Sequence, residues 1–471
     1  MNNSSSLNRE TWTAVRALLS SRPEIAAQVE NRLRLFGVAP TLNTRHKLTV
    51  AAASAIGAYA MAIEEWWSLC TGTHQSVGID YLQATCGLNP GQFQQQNGYS
   101  ISAASLFTEL KAGFYKTADN RWFYPVGSYP HLRDGVLETL GCANSTSALQ
   151  AAIGQYSSET LEAIFDGKKL PGVYARTADE WRKHEQGQWL SNRPVIQIEK
   201  IGDSAPEFCP GRQRPLDSLR VLDMGHVIAG PIVARSLAEQ GADVLRLSHP
   251  LQQDAFRQTV DTNIGKRSAF LDLDQADDKR RLQSLISRAD VMVQSWRTDS
   301  MKGKGFGAQE AAAIRPGIIY VSVSAFGHEG PWALRGGFEQ LGQAASGIAL
   351  TENSDQPRLV PSTLLNDYLT GYLGALGVIL ALIRRAEEGG SYHVNIALTR
   401  TSMWIQELGL LETLPSAQAI QAFNDLKPLL ETRHSPYGTL HQLPPVAQFS
   451  RTKAHWTLPP VPTGAHEASW S

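Results

Sequence analysis

The stretch L-L-N-D-Y-L-T-G at residues 364–371 places one carboxylate, Asp367, at the start of a long apolar run. Two roles fit this arrangement. Aspartate is favoured as a helix N-cap because its side chain accepts a hydrogen bond from a free backbone N–H. Alternatively, Asp367 is a catalytic carboxylate that faces a pocket from the positive end of a helix dipole. These eight residues alone favour the cap, so the elements around them must decide.

Short apolar segments between residues 217 and 328 have the pattern of β-strands: LRVLDM, ADVLRLSHP, SAFLDLD, DVMVQSW and PGIIYVSVSAFG. Helical patterns, IVARSLAEQG and DDKRRLQSLISRA, lie among them. Strands separated by helices predict right-handed βαβ units and a parallel sheet, which binds ligands at the carboxyl ends of its strands. The predicted fold class is α/β, a Rossmann-like parallel sheet domain plus a smaller α+β domain.

The first turn of this predicted sheet argues against a dinucleotide cofactor. Its sequence is G-H-V-I-A-G-P rather than the G-x-G-x-x-G fingerprint. The second strand ends in Ser248-His249, where an NAD site needs an acidic residue for the ribose. We therefore expect a Rossmann-like topology without NAD.

The overall charge balance argues against two kinds of binding partner. The 471 residues carry 43 basic and 44 acidic side chains, which argues against nucleic acid as a partner and against a polybasic membrane contact.

The longest apolar stretch, from Tyr368 to Ile383, is too short to cross a bilayer. The N-terminus lacks an apolar signal segment, and the four cysteines have neither metal-ligand nor disulfide spacing. We expect a cytoplasmic protein with reduced thiols and no metal.

Composition shifts along the chain predict five segments. A stretch rich in proline, glycine and charge, GDSAPEFCPGRQRPL, is typical of a linker, and the proline-rich end predicts extended chain. The predicted segments are residues 1–105 (mainly helical), 106–200 (small α+β domain), 201–216 (linker), 217–405 (Rossmann-like domain) and 406–471 (C-terminal helix and extended tail).

A faint internal repeat relates the two halves at a shift of 317 residues (374 − 57). Both halves show an apolar helix, a glycine turn and a short strand. The repeat is either a degenerate partial copy of the second half or an independent unit of the same kind, and Val50 aligns with Asp367. The matching positions are Gly57, Ala58, Gly72, Val77 and Ile79 with Gly374, Ala375, Gly389, Val394 and Ile396.

Six motifs in fixed order resemble the family III CoA-transferases, or CaiB/BaiF family. They are LDSLRVLDMGHVIAGPIVARSLAEQGADVLRLSHP, NIGKRSAFLDLD, ADVMVQSW, RPGIIYVSVSAFGHEGPW, GGFEQLGQAASGIA and NDYLTGYLGALGVILALIRRAEEGGSYHVNIAL. The resemblance is most specific over residues 215–403. In the family the small domain follows the Rossmann-like half, whereas here the matching segment precedes it, so the chain looks rearranged or partly duplicated.

The resemblance implies that Asp367 is the nucleophile. In the family this aspartate attacks an acyl-CoA thioester to form a mixed anhydride, and CoA thiolate then gives an aspartyl-CoA thioester. The site must exclude water, because water would hydrolyse the anhydride. The implied substrates are an acyl-CoA and a free carboxylic acid, with no permanently bound cofactor. Family members form interlocked dimers, which implies either a homodimer or a pseudo-dimer within this one chain.

The resemblance also implies CoA-binding and site residues, and each has a simpler structural alternative. Some members carry glutamine where this chain has Ile228, and many carry a phosphate-binding arginine where Gly303 stands, so flanking lysines are candidate replacements. Glu339 matches a carboxylate near the nucleophile or forms a salt bridge. The candidate CoA-binding residues are His226, Val227, Ile228, Ala229, Leu271, Asp272, Leu273, Ser295, Trp296, Arg297, Lys302 and Lys304.

Two other functions stay open on the sequence. A 2-methylacyl-CoA racemase pairs this aspartate with a histidine on the opposite face of the α-carbon. The stretch that would carry that histidine, residues 336–341, reads G-G-F-E-Q-L and disfavours this chemistry. A weakly active or inactive CoA-binding protein of the same fold is the other alternative, because of Ile228, Gly303 and the altered segment order.

Overall fold

The computed structural model describes residues 2–102, 109–207, 213–251, 254–362, 364–414 and 429–470. The N-terminal region is mainly helical, as predicted. It also contains a strand that the sequence did not indicate, β1, which forms because it pairs in parallel with β2. The elements are α1 (Asn2–Leu18), α2 (Pro23–Ala26), α3 (Val29–Arg32), β1 (Leu33–Phe36), α4 (Leu48–Thr71), β2 (Val77–Asp80), α5 (Tyr81–Cys86), β3 (Gln95–Gln96) and β4 (Tyr99–Ser100).

A small antiparallel sheet with short helices follows, and we refer to it as the α+β region. Side-chain caps start several of its helices. For example, Thr177 and Glu180 form a capping box at α9. The elements are β5 (Tyr115–Lys116), β6 (Trp122–Pro125), α6 (Pro130–Leu140), α7 (Thr146–Ile153), α8 (Ser158–Gly167), β7 (Gly172–Tyr174), α9 (Ala178–Lys183) and α10 (Glu185–Ser191).

The third part contains the central sheet and the helices on its two faces. All five strands that the apolar segments predict are present. The elements are β8 (Gln197–Gly202), β9 (Arg220–Met224), α11 (Ala229–Ala238), β10 (Asp243–Ser248), α12 (Phe256–Thr262), β11 (Lys266–Phe270), α13 (Ala276–Ile286), β12 (Val291–Gln294), α14 (Ser300–Gly303), α15 (Ala308–Ile314), β13 (Ile319–Ser324), α16 (Glu339–Ser346), α17 (Ile348–Glu352), α18 (Leu365–Glu388), β14 (Ser391–Ala397) and α19 (Leu398–Glu407).

The central sheet has the strand order β11-β10-β9-β12-β13-β14-β8. The strands from β9 to β14 are parallel, and β8 adds to the edge in antiparallel orientation. The chain therefore reverses its direction of travel across the sheet between β9 and β12, which is where doubly wound sheets bind ligands. Because β8 contains residues 197–202, the central sheet begins before the boundary that the sequence predicts at residue 217.

The C-terminal segment is not only an extended tail. It contains a hairpin, β15 (Glu431–Ser435) and β16 (Gly438–Gln442), and a short strand, β17 (Gln448–Phe449). β16 pairs with β3, and β17 pairs with β2, so the tail packs back on the N-terminal region. The predicted C-terminal helix falls in part on residues 415–428, which lie outside the described residues.

Helix α18 is the core of the molecule and packs against α11 and α4. A side chain at Gly371 would place its Cβ 2.4 Å from Ile232 Cγ2, so this glycine lets α18 and α11 approach closely. By length and composition, α18 is the one helix of the described residues that could cross a membrane. However, 94% of its apolar window is buried inside the protein, as in the core helix of a globular fold.

The predicted repeat corresponds to two helix–turn–strand units. α4 begins at Leu48 and α18 at Leu365, a separation of 317 residues (365 − 48), and both helices have 24 residues. Both end at a glycine with positive φ, 68° at Gly72 and 67° at Gly389. The predicted order of elements is therefore confirmed in both units. Only the second has a carboxylate at the start of its helix, since Val50 occupies the matching position.

Candidate active site

A cavity of about 820 Å³ opens at the carboxyl ends of β9, β12 and β13. Its size is typical of a small-molecule site, and it lies at the point where the strand order reverses. The structure brings Asp367 and two of the predicted clusters to this cavity: the turn after β9 (His226, Val227, Ile228, Ala229) and the segment after β12 (Ser295, Trp296, Arg297).

Asp367 is the third residue of α18, not its N-cap. The N-cap is Leu364, whose side chain makes no capping bond, so the cap interpretation of Asp367 is wrong. The helix starts earlier than the motif suggests because its first turn is held by a group from another helix, described next. Asp367 is 7% exposed, and burial raises its pKa to about 7.

Glu339, the first residue of α16, supports that first turn. Burial and the nearby Asp367 raise the Glu339 pKa well above its ordinary value. The amide side chain of Gln343 donates to the Glu339 carboxyl, and this bond and the backbone N–H groups of Asn366 and Asp367 partly oppose the rise in pKa. Its Oε2 atom has no hydrogen-bond partner among the described residues, which leaves room for a proton. Glu339 thus acts in place of a local cap for α18.

The turn between β9 and α11 is tight, and hydrogen bonds from two buried side chains, Asp223 and Lys266, stabilise it. Asp223 accepts a hydrogen bond from the Gly225 N–H (2.9 Å), and Lys266 Nζ donates to Asp223 (2.6 Å) and to the Pro231 carbonyl (2.7 Å). Burial lowers the Lys266 pKa to about 8. A Cβ at Gly230 would lie 3.0 Å from Ser295, which is a tight contact, so the turn favours glycine where it meets the end of β12. These contacts explain the G-H-V-I-A-G-P sequence.

His226 and Trp296 form one wall of the cavity. Their rings lie 4.7 Å apart, and the Trp296 indole donates to the Met224 carbonyl (2.9 Å), which fixes its orientation. Burial lowers the His226 pKa, so its imidazole is neutral near pH 7. Its Nδ1 is buried without a hydrogen-bond partner among the described residues.

Arg297 is the cation available at the cavity. It is exposed and donates to the Lys169 carbonyl (3.0 Å), and no carboxylate among the described residues forms an ion pair with it. Arg335 also lines the cavity, but it is ion-paired with Asp166 (2.9 Å). Arg297 can therefore bind an anion without first breaking an ion pair.

The remaining predicted CoA-binding residues lie away from the cavity wall. Leu271 and Leu273 are buried in the apolar core behind β10. Asp272 lies 3.6 Å from His249, which does line the cavity, so this stretch approaches the rim. Lys304 is ion-paired with Asp274 (2.6 Å), and Lys302 is exposed on α14. Their contact with CoA stays a prediction.

Several cavity residues were not among the predicted site residues. Tyr129 and His131 come from the α+β region, and Phe338 precedes Glu339. Only Phe338 could have been found from the sequence, because it lies inside the quoted GGFEQLGQAASG motif. Three histidines line the cavity, yet among the described residues no group of three His, Cys, Asp or Glu side chains could hold a metal.

Comparison with known proteins shows which family this part of the chain resembles. Residues 216–441 match the model of CoA-transferase family III. The acetyl-coenzyme A transferase nodX of Hypoxylon pulicicidum is 32% identical over 328 residues, 64% of this chain and 55% of that relative. An acyl-CoA transferase of Gibberella moniliformis (strain M3125 / FGSC 7600) is 27% identical over 414 residues, 75% of this chain and 72% of the relative.

A solved CAIB/BAIF family protein from Brucella suis is 25% identical with a TM-score of 0.39, covering 48% of this chain and 65% of that one. The chain spans about half the length (55%) of the Hypoxylon relative. The family match includes the parallel strands, the turn after β9 and Asp367. The part of the chain from residue 216 to residue 441 therefore matches CoA-transferase family III.

Proposed function

We propose that this chain moves CoA from an acyl-CoA thioester to a free carboxylic acid, with Asp367 as the covalent carrier. The observation that supports this most is the position of Asp367. It is a buried carboxyl group at the first turn of an apolar helix, and it lines the cavity at the strand-order reversal. The names of the relatives, an acetyl-coenzyme A transferase and an acyl-CoA transferase, support the same reaction class.

The proposed reaction proceeds by four exchanges. An Asp367 oxygen attacks the thioester carbonyl and the C–S bond breaks. CoA thiolate departs, and a mixed anhydride of Asp367 and the donor acid remains. The thiolate attacks the Asp367 carbonyl, which releases the donor acid and forms an aspartyl-CoA thioester. The acceptor carboxylate attacks that thioester and expels CoA thiolate, which forms a second anhydride between Asp367 and the acceptor acid. The thiolate then attacks the acceptor acyl carbon, and the Asp367 carboxylate departs unchanged.

The N-termini of two helices favour the charges in these steps. α11 starts at Ile228 as its N-cap, α18 starts just before Asp367, and both residues line the cavity. Helix N-termini carry partial positive charge and free N–H groups, so they stabilise a carboxylate and a developing oxyanion. The apolar body of α18 keeps water from the anhydrides.

CoA binding is assigned to the cavity wall. We propose that Arg297 contacts a CoA phosphate, that the neutral His226 contacts the CoA chain near the thioester, and that the stretch Leu271–Leu273 approaches the adenine at the rim. The Ile228 side chain has no amide group that could donate to the acyl oxygen. We therefore assign that hydrogen bond to backbone N–H groups of the turn.

The test is a pair of variants at Asp367. Asp367→Asn keeps the shape but cannot form an anhydride, so CoA transfer should fall by several orders of magnitude without loss of folding. Asp367→Ala should lose transfer equally, and Asp277→Asn, an exposed change elsewhere, should lose nothing.

Each alternative predicts a different result. A parental enzyme that binds CoA but transfers none would indicate an inactive CoA-binding protein. Solvent deuterium entering the α-carbon of a 2-methylacyl-CoA would indicate racemase chemistry. Either result would contradict the proposal.

A further inference from the structure

The turn after β9 contains a strained residue. Val227 has φ +62°, a left-handed conformation that is unusual for a β-branched side chain. Such a conformation persists only where surrounding contacts hold it, and it is often found at functional sites. Val227 lines the cavity beside the candidate nucleophile. The contacts that hold this turn therefore control the shape of the reaction site.

Two side chains hold the turn from opposite sides. On one side, Ser295 Oγ accepts from the His226 N–H (2.9 Å) and donates to the His226 carbonyl (3.2 Å). On the other side, the carboxylate of Asp254 faces the Val227 N–H, which helps to lower the pKa of that carboxylate. Asp254 lies in the segment between β10 and α12, and it is not itself part of the cavity wall.

Asp254 is fixed by a buried arginine. Arg246 Nη2 donates to Asp254 Oδ2 (2.7 Å), and both side chains are only 5% exposed. Arg246 in turn bonds to Asn263 and Ser248, which prevents it from moving away. Burial raises the Asp254 pKa, but the Arg246 charge and the hydrogen bonds outweigh burial and keep it below the ordinary value. Asp254 is therefore a permanently ionised acceptor.

The other oxygen of Asp254 reaches the opposite side of the cavity. Tyr129 of the α+β region donates its hydroxyl to Asp254 Oδ1 (2.8 Å). The Tyr129 ring lines the cavity and lies 6.3 Å from the Phe338 ring. Burial raises the Tyr129 pKa, and the charges of Asp254 and Asp367 add to this rise. One carboxylate thus joins the turn of the central sheet to the wall that the α+β region supplies.

We infer that Asp254 is a positioning residue for CoA transfer, which holds the Val227 turn and the Tyr129 wall at the spacing that the reaction needs. The expected effect on kcat rests on the proposed function, whereas the expected effect on the conformation of the turn does not. Asp254 touches no reacting atom. It acts through the Val227 amide and the Tyr129 hydroxyl.

The test uses Tyr129→Phe, Asp254→Asn and the double variant, with Tyr156→Phe as the control. Tyr129→Phe removes one hydroxyl and keeps the ring, so folding is preserved. Asp254→Asn leaves Arg246 without its charge partner, so its melting temperature should fall as well. Tyr156→Phe removes a hydroxyl from the same region away from the cavity. Each protein is measured by hydrogen exchange of residues 225–230, by kcat and KM, and by melting temperature.

We expect faster exchange of residues 225–230 in Tyr129→Phe and Asp254→Asn, but not in Tyr156→Phe. In Tyr129→Phe, kcat should fall by about tenfold, while KM for acyl-CoA changes by less than about twofold and the melting temperature is kept. The double variant should be no slower than Asp254→Asn, because Tyr129 acts through Asp254.

Parental exchange in Tyr129→Phe, or losses of kcat that multiply in the double variant, would overturn the inference. If the parental protein transfers no CoA, the proposed function fails, and the exchange measurement alone still decides whether Asp254 positions the turn.

Discussion

Glu339 lies against the first turn of α18 beside Asp367, so that two buried carboxyl groups lie side by side, and Asp367 lines the cavity. Burial raises both pKa values, and the Asp367 charge raises that of Glu339 further. Asp367 therefore ionises first, and Glu339 keeps its proton while Asp367 is charged. The arrangement gives a reactive, poorly solvated Asp367 carboxylate next to a neutral carboxylic acid.

The rate of the acylation step should depend on the ionisation of Asp367. Because burial raises its pKa to about 7, Asp367 is protonated below that pH and cannot attack. We expect the single-turnover rate of CoA release to fall about tenfold per unit as pH drops below 7 and to level off above it. A profile that is flat between pH 5 and pH 8 would show that the nucleophile has an ordinary carboxyl pKa.

Glu339→Gln tests the neutral state of Glu339. Glutamine has the shape of a protonated glutamate, so the pH profile should keep its midpoint near 7. If Glu339 were ionised in the parental enzyme, the substitution would remove a negative charge and lower that midpoint. Glu339→Ala is the comparison. It removes the group that supports the first turn of α18, and it should reduce kcat and lower the melting temperature.

The buried charge of Asp367 should make the protein less stable at high pH. The folded-state pKa lies above the unfolded value of 3.8, so the folded state binds the proton more tightly. The penalty is absent below pH 4 and complete above pH 7. Asp367→Asn should therefore be more stable than the parent by about 2–4 kcal/mol at pH 8. Chemical denaturation at pH 8 and at pH 4 measures this, and an equal gain at both values would contradict it.

Arg297 should contribute to CoA affinity more than Lys302 of α14 and the adjacent Lys304 do. Arg297→Ala should raise KM for acyl-CoA about tenfold with little change in kcat, and the effect should shrink at high salt. Lys304→Ala should leave KM unchanged, since Lys304 is paired with Asp274 away from the cavity. Equal effects of the two changes would mean that the CoA phosphates extend to α14.

Local patterns predicted the elements that depend on local sequence. The strands from β9 to β13 follow apolar segments between turns, and the glycine after each repeated helix marks its end. β1 and β8 were not predicted, because β1 depends on pairing with β2 and β8 on the exposed edge of β14.

The same distinction applies to the site. A motif singled out Asp367, which lines the cavity, and its role as nucleophile stays a prediction. The N-cap alternative was wrong, because α18 already begins at Leu365, where Glu339 from another helix lies against the first turn. Tyr129 and Asp254 meet only in the folded protein, across 125 residues, so no single segment could reveal them.

The most direct measurement is covalent trapping at Asp367. The purified protein is incubated with an acyl-CoA, treated with hydroxylamine, and digested for mass spectrometry, with Asp367→Asn as the control. Hydroxylamine cleaves an aspartyl anhydride or thioester and leaves a hydroxamate on the aspartate. The account predicts this modification on the peptide that contains Asp367, only when acyl-CoA is present and never in Asp367→Asn. CoA transfer by the parental protein without any modified Asp367, or a modification at another carboxylate, would contradict it.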